Sequence, residues 1–240
     1  MSGPVAVVLG VGPLDGLGAE LCMRFAAAGL DVTVAGRSAD KLEAVVAAIT
    51  AQGGRARAAV ADATSETQVN ALFDEAPGPV DLAIYNAGNN VPGRIIDMDL
   101  ATFSHAMAMG PTGGFLFGRA AVRHMVPQRT GTLLFTGASA SLRGRARFGA
   151  FNASKGALRN LAQAMAKEYA EEGIHVGHVI IDGPIGGEKI KQGFPEYAAK
   201  LGEAGMISLE GIVDAFEYLY RQQPRAWSFE VDVRTSAERW

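Results

Sequence analysis

The chain has 240 residues, 48% hydrophobic and 20% charged, with a formal net charge of −3 and a pI near 5.8. That length suits one α/β domain with a sizeable core, expected to span residues 1–240 without a second unit. The slight acidity gives no support to nucleic-acid binding, no stretch approaches a membrane span, and the N-terminus lacks a basic-then-apolar signal, so a cytoplasmic protein without nucleic-acid or membrane partners is expected.

The single cysteine, Cys22, excludes an internal disulfide, and no metal is expected. Residues 5–9 form an unbroken apolar run, the mark of a strand buried on both faces. Gly10, Gly12, Gly16 and Gly18 follow as a turn, and Leu17, Leu21 and Phe25 then recur at helical spacing. Strand, glycine turn and helix together are one way of building a phosphate site, the alternative being a strand-to-helix turn with no ligand. Glycine lets the backbone approach a pyrophosphate, and free N–H groups at the helix start favour negative charge. The spacing G-x-G-x-x-G fails at Asp15, but G-x-x-x-G-x-G is met at Gly12, Gly16 and Gly18.

In this the chain resembles the short-chain dehydrogenase/reductase family, whose members carry T-G-x-x-x-G-x-G here; Val11 stands in place of the Thr. The resemblance implies a Rossmann-type, doubly wound α/β fold with a seven-stranded, mainly parallel sheet and helices on both faces. It also implies a dinucleotide site to which Gly12, Gly16, Leu17 and Gly18 contribute.

Gly29 closes the first helix, and residues 31–35 read as a second strand running into Gly36, Arg37 and Ser38. Where this strand ends, a carboxylate would take an adenosine ribose 2′-hydroxyl, whereas an Arg suits a 2′-phosphate. Gly36 fills the acidic slot and Arg37 follows, so NADP is expected over NAD. Against this, NADP-preferring family members often carry a basic residue where this chain has Asp15. Ser38 is placed to cap the next helix, whose apolar face is Leu42, Val45, Val46 and Ile49, with Gly53 and Gly54 stopping it. A third strand over 55–61 ends at Asp62, which matches the family Asp that bonds the adenine amino group. Ser65-Glu66-Thr67-Gln68 is a capping-box pattern opening a third helix with Val69, Leu72 and Phe73 inward. A fourth strand over 80–85 runs into Asn86-Ala87-Gly88, matching the family's N-A-G motif beside the cofactor.

Residues 89–97 read as irregular and lead to a long helical region over 99–125. Gly110 stands where the family shows an Asn that helps hold a proton-relay water, and Pro111 should disturb the helix. A fifth strand over 131–136 runs into Gly137-Ala138-Ser139-Ala140-Ser141. Phe151-Asn152-Ala153-Ser154-Lys155 occupies the place of Y-x-x-x-K, so the Tyr is Phe151 while Lys155 is intact. The family's Ser lies thirteen residues before that Tyr. Here the position is Ala138, and Ser139 comes one residue late.

A helix over 152–171 follows, with Leu158, Leu161 and Met165 inward. In the family this helix and the previous long one form the common interface, implying a homodimer or homotetramer. A sixth strand over 174–181 leads to Asp182-Gly183-Pro184-Ile185, a partial match to P-G-x-[IV], where Ile185 would bond the nicotinamide amide through its backbone. Residues 188–206, within a stretch of about 186–210, read either as a substrate lid carrying Phe194 and Tyr197 or as plain surface loop and helix. A last helix over 208–222 and an alternating strand over 227–233 complete the chain.

In the usual family mechanism a Tyr phenol moves the proton of the carbinol oxygen, a Lys lowers that phenol's pKa and holds the nicotinamide ribose, and a Ser orients the substrate oxygen. Phe151 has no proton to give; Lys155 keeps its ribose-holding role. Three readings stay open. One is an oxidoreductase acting on an activated C=C or C=N bond, with the proton coming from water or another side chain. The second is a carbonyl reductase with a substitute acid, for which Ser139, Ser141, Tyr85 and His105 are the candidates. The third is a catalytically inactive nucleotide-binding homologue serving as a sensor or partner subunit. Arg143, Arg145 and Arg147 alternate before the active helix, either as a solvated loop or as an attractor for an anionic small-molecule substrate.

Overall fold

A computed structural model of the chain describes residues 3–88 and 90–238. Seven strands form one sheet: β1 (Val5–Leu9), β2 (Asp31–Gly36), β3 (Arg55–Val60), β4 (Val80–Tyr85), β5 (Gly131–Ala138), β6 (Ile174–Ile181) and β7 (Glu230–Val233). Their order is β3-β2-β1-β4-β5-β6-β7, and every pairing is parallel, β7 included. The expected mainly parallel sheet is thus parallel throughout. The chain winds outward from β1 to β3, then crosses to β4 and winds the other way. That reversal opens a crevice at the carboxyl ends of β1 and β4, the place where such sheets bind ligands.

Helices cover both faces, and the alternation of the strands divides the core between them. Ala6, Val8, Val32 and Val34 pack beneath α1 (Leu17–Ala27), α2 (Ala39–Ala51) and α9 (Leu209–Tyr220). Val5, Val7, Leu133 and Phe135 pack beneath α3 (Glu66–Asp74), α5 (Gly113–Met125) and α6 (Gly149–Tyr169). Between β4 and α5 lies α4 (Leu100–Met107), capped by Asp99, which accepts from the Thr102 amide at 2.7 Å.

The expected long helix over 99–125 is interrupted by a π-helical turn, Ala108–Thr112, that contains Pro111. Proline lacks the N–H that an α-helix would need there, and the extra residue in the turn absorbs the loss. Ser38 sits at the start of α2 but its side chain makes no capping bond. The capping box of α3 is half formed: the Ser65 hydroxyl accepts from the Gln68 amide at 3.5 Å, while Gln68 Oε1 takes the Asp62 N–H at 2.7 Å. The final strand is shorter than expected, because Pro224–Ala226 turns and Gln222 grips Ser228 before the ladder begins. Asn89 of the irregular stretch lies outside the described residues; within that stretch Ile95–Asp97 forms a short turn. Among the described residues no helix is long and apolar enough to cross a membrane.

Candidate functional site

At the end of β1 the backbone passes directly under the end of β4. Gly10 takes φ +106°, and a β-carbon there would lie 2.4 Å from the Ala87 nitrogen. Only glycine permits both the left-handed turn and this approach. The N–H groups of Gly10 and Val11 bond the Ala35 carbonyl at 3.0 and 2.9 Å. Gly18 packs the helix onto the loop, its missing β-carbon falling 2.8 Å from Val11 Cα. Gly12 is different: nothing lies within 4 Å of where its β-carbon would stand. It faces open space, as a residue cradling a diphosphate would. Gly16 is the extended N-cap of α1 and offers no capping side chain. The Ala19 and Glu20 N–H groups donate to the Gly16 carbonyl at 3.0 and 3.1 Å, so those of Leu17 and Gly18 are the ones without an intrahelical acceptor, at the positive end of the helix dipole.

The ends of β2 and β3 form the neighbouring rim. A β-carbon on Gly36 would meet the Val11 carbonyl oxygen at 2.4 Å, so the slot for an acidic side chain is sterically closed. Arg37, the next residue, is exposed. Across from it, one Asp62 carboxylate oxygen accepts from the Thr64 N–H at 2.8 Å and the Thr64 hydroxyl at 2.7 Å. These two bonds hold the Asp62 carboxyl below its ordinary range, with Arg37 and His105 adding to the effect. Among the described residues no donor meets its second oxygen.

Asn86 ties three strands together. Its Nδ2 donates to the Gly10 carbonyl at 3.1 Å, and its Oδ1 accepts from the Thr136 hydroxyl at 2.9 Å. The Thr136 carbonyl in turn accepts from Lys155 Nζ at 2.7 Å. Lys155 is buried, and a β-carbon on Gly88 would lie 3.5 Å from its Nζ. Burial alone lowers the amine to about 8. An ammonium has three donors, and among the described residues one of them is used. The glycine loop, the 86–88 segment and Lys155 thus converge on the crevice, while Ile185 lies farther along, paired with Ile207 in an isolated bridge.

The residues expected at the chemical centre take the following places. The active helix α6 begins at Gly149, earlier than expected, so the half-buried Phe151 lies in its first turn. Ala138 ends β5, and Ser139 opens the short turn Ser139–Ser141. Of the four candidates for a substitute acid, Tyr85 is fully buried and donates to the Met109 carbonyl at 2.6 Å, and burial pushes its phenol upward. His105 is exposed on α4 near Asp62. The buried Ser141 hydroxyl accepts from the Ala138 N–H at 3.3 Å. Ser139 is half-buried at the strand end, and among the described residues its hydroxyl has no hydrogen-bond partner. Gly110 backs onto Ser154, whose hydroxyl donates to the Ala106 carbonyl at 2.8 Å.

The three arginines before α6 are not equivalent. Arg143 Nη2 contacts both oxygens of the buried Asp182 at 2.9 and 3.1 Å, strapping loop 142–148 to the end of β6. Arg145 lies over the Phe148 ring, and the Arg147 carbonyl accepts from the Gly93 N–H at 2.7 Å. The 186–210 stretch folds as α7 (Glu188–Gly193) and α8 (Pro195–Leu201), and the Ile185–Ile207 bridge closes its base. Asp15 anchors it: its carbonyl accepts from the Glu188 N–H at 2.7 Å, and its carboxylate from Lys191 Nζ at 3.2 Å. Sequence reasoning missed Thr136, Asp182 and Lys191, because their partners lie 19, 39 and 176 residues away.

Comparison with known proteins adds an independent line. Residues 5–187 match the family described as short chain dehydrogenase. A glucose 1-dehydrogenase of Gluconobacter oxydans is 33% identical over 177 residues, covering 72% of this chain and 66% of that protein, just under two thirds of its length. A crystal structure of a short-chain dehydrogenase from Rhodopseudomonas palustris superposes with a TM-score of 0.83 at 35% identity, covering 96% of this chain and 98% of that one. A metagenomic short-chain oxidoreductase solved in complex with NADP gives a TM-score of 0.82 at 25% identity, covering 98% and 99%.

Proposed function

The chain belongs to the short-chain dehydrogenase family, and from that premise we propose that it is an oxidoreductase that binds a nicotinamide dinucleotide, NADP in preference to NAD, and acts on a small molecule without a tyrosine acid. The observation that carries this reading is the convergence of an open Gly12 cradle, an uncapped α1 and a buried Lys155 on one crevice. Arg37 would meet the 2′-phosphate, and the Val11 carbonyl closes the slot in which a carboxylate would select NAD. Asp62 would take the adenine amino group with its uncommitted oxygen. Asn86, Ala87 and Gly88 would line the ribose side, and the Ile185 backbone the nicotinamide amide.

When bound, the nicotinamide supplies or accepts a hydride. The chain's own residues do the rest. Lys155 would hold the ribose hydroxyls with its two remaining donors. Ser139 would orient a polar atom of the substrate, and Phe151 presents an apolar edge where a phenol would move a proton. An activated C=C or C=N bond suits such a site better than a ketone, because its proton can arrive from water. The exposed Phe103 and Phe115, on α4 and α5, fit the family's interface, so we also propose a homodimer or homotetramer.

Titration of the purified chain with NADPH and NADH, followed by fluorescence, tests the reading. Selective NADPH binding supports it and justifies a screen of imines, enoyl thioesters and ketones. A folded chain that binds neither overturns it. A second reading, a catalytically silent nucleotide-binding homologue, is favoured by Phe151 together with the filled space beside Gly110. Tight NADPH binding with no turnover across the screen would select it.

A further inference from the structure

Arg143, Arg145 and Arg147 are all exposed ahead of α6, but among the described residues only the Arg143 side chain is held by a carboxylate. Ala138 and Ile181 are register partners at the ends of β5 and β6, so Ser139 and Asp182 leave the sheet from adjacent strands. Arg143 crosses between them. Its N–H donates to the Ser139 carbonyl at 3.1 Å. Its carbonyl accepts from Asn152 Nδ2 at 2.6 Å, and Asn152 follows Phe151 on α6. Its Nη2 donates to both oxygens of Asp182, whose side chain is 5% exposed. Backbone and side chain are therefore fixed beside the residues of the chemical centre.

That grip leaves most of the guanidinium unengaged. An arginine carries N–H donors on three nitrogens. Here Nη2 alone takes both Asp182 oxygens, and among the described residues the donors on Nε and Nη1 meet no acceptor. An arginine serving only to neutralise a buried carboxylate would close on it with two nitrogens. Nor does Asp182 cancel the Arg143 charge outright. Arg234 Nε lies 3.9 Å from Asp182 Oδ2, so the carboxylate is shared between two guanidiniums, and Arg234 pairs in turn with Asp232. An oriented guanidinium with donors to give and a partly offset charge suits a single negative charge. A dianion would be repelled by the carboxylate directly behind it.

We propose that Arg143 binds a carboxylate group of the substrate and that Asp182 is the residue that positions it. This rests on the reading of the chain as an oxidoreductase whose substrate lies beside Ser139 and Phe151. Arg145, over the Phe148 ring, and Arg147 have no such support and do not share the role.

Phenylglyoxal condenses with accessible guanidinium groups, and mass spectrometry follows the rate at each arginine. The probe is crotonate, a small unsaturated monocarboxylate. Crotonamide is its uncharged counterpart, chloride matches the ionic strength, and inorganic phosphate is the competing anion. Crotonate should slow the modification of Arg143 about threefold or more, the protection given by a ligand at twice its dissociation constant. Arg145 and Arg147 should keep their rates in chloride, and crotonamide should protect none of the three. In Asp182→Asn, Arg143 should react faster without the probe, and protection by crotonate should fall. An Arg143 rate that crotonate leaves at the chloride value, equal protection by crotonamide, or equal slowing of all three arginines overturns the proposal. Stronger protection by phosphate overturns the choice of a carboxylate, and unchanged behaviour of Arg143 in Asp182→Asn overturns the role of Asp182. Should that variant fail to fold, the parent chain decides alone. NADPH in the same experiment should shield Arg37. Failure there would instead strike the functional reading, and the Arg143 rates would still report on carboxylate binding.

Discussion

A β-carbon added to Gly110 would stand 1.8 Å from the hydroxyl oxygen of Ser154. The absence of an Asn at this position is therefore matched by its surroundings: the hydroxyl of the active helix occupies the space a side chain would enter. Gly110→Asn should destabilise the fold by about 1–3 kcal/mol through overpacking. Ser154→Ala in the same chain should recover part of that loss. Urea unfolding of the single and double variants checks this, and a Gly110→Asn chain as stable as the parent would show that the space is open.

Lys155 makes stability depend on pH in a defined direction. Its folded-state value of about 8 lies below the ordinary 10.5, so the folded state gives up this proton earlier than the unfolded chain. Between those two values the unfolded state binds more protons, and stability must rise with pH. The cost of burying the charge, about 3 kcal/mol below pH 8, is relieved by about pH 10.5. Lys155→Met should remove this rise and leave the chain without cofactor more stable at pH 7. NADPH affinity should run the opposite way, falling above about pH 8 as the ammonium is lost. Thermal unfolding and NADPH titration at matched pH measure the two trends.

Cofactor choice should follow Arg37 and resist Gly36. Arg37→Glu should weaken NADPH about tenfold or more while leaving NADH unchanged or tighter. Equal loss of both would mean that Arg37 does not meet the 2′-phosphate. Gly36→Asp should not convert the chain to NAD. With the Val11 carbonyl 2.4 Å from the new β-carbon, it should lower the melting temperature instead.

Restoring the missing acid should report how far the centre has drifted. Phe151→Tyr combined with Ala138→Ser places a phenol and a hydroxyl at the family positions. If α6 and β5 keep the family's geometry, NADPH-dependent ketone reduction should rise by about 10²-fold or more. No gain, with NADPH binding retained, would mean that the substrate side differs by more than these two groups.

The local devices of this fold were legible because each is written in consecutive residues. The Val5–Leu9 run gave a buried strand, and Pro111 announced a disturbed helix. The 174–181 stretch emerged with the boundaries its pattern suggests. What stayed hidden was pairing across distance. Nothing local marks Thr136 as the carbonyl beneath Lys155 or Asp182 as the anchor of Arg143, since each contact exists only once separate strands and loops are brought together. Asp15, read from sequence as an argument against NADP, has a different occupation in the structure: it holds α7.

That grip has a mechanical meaning. The stretch that would roof the substrate is fastened at its near end to the loop that would cradle the phosphates, through the Asp15 carbonyl and carboxylate. The two segments are therefore tied to each other at Asp15. Should the loop hold a nucleotide and α7 cover a substrate, as proposed, a shift of one would be felt by the other through these two bonds.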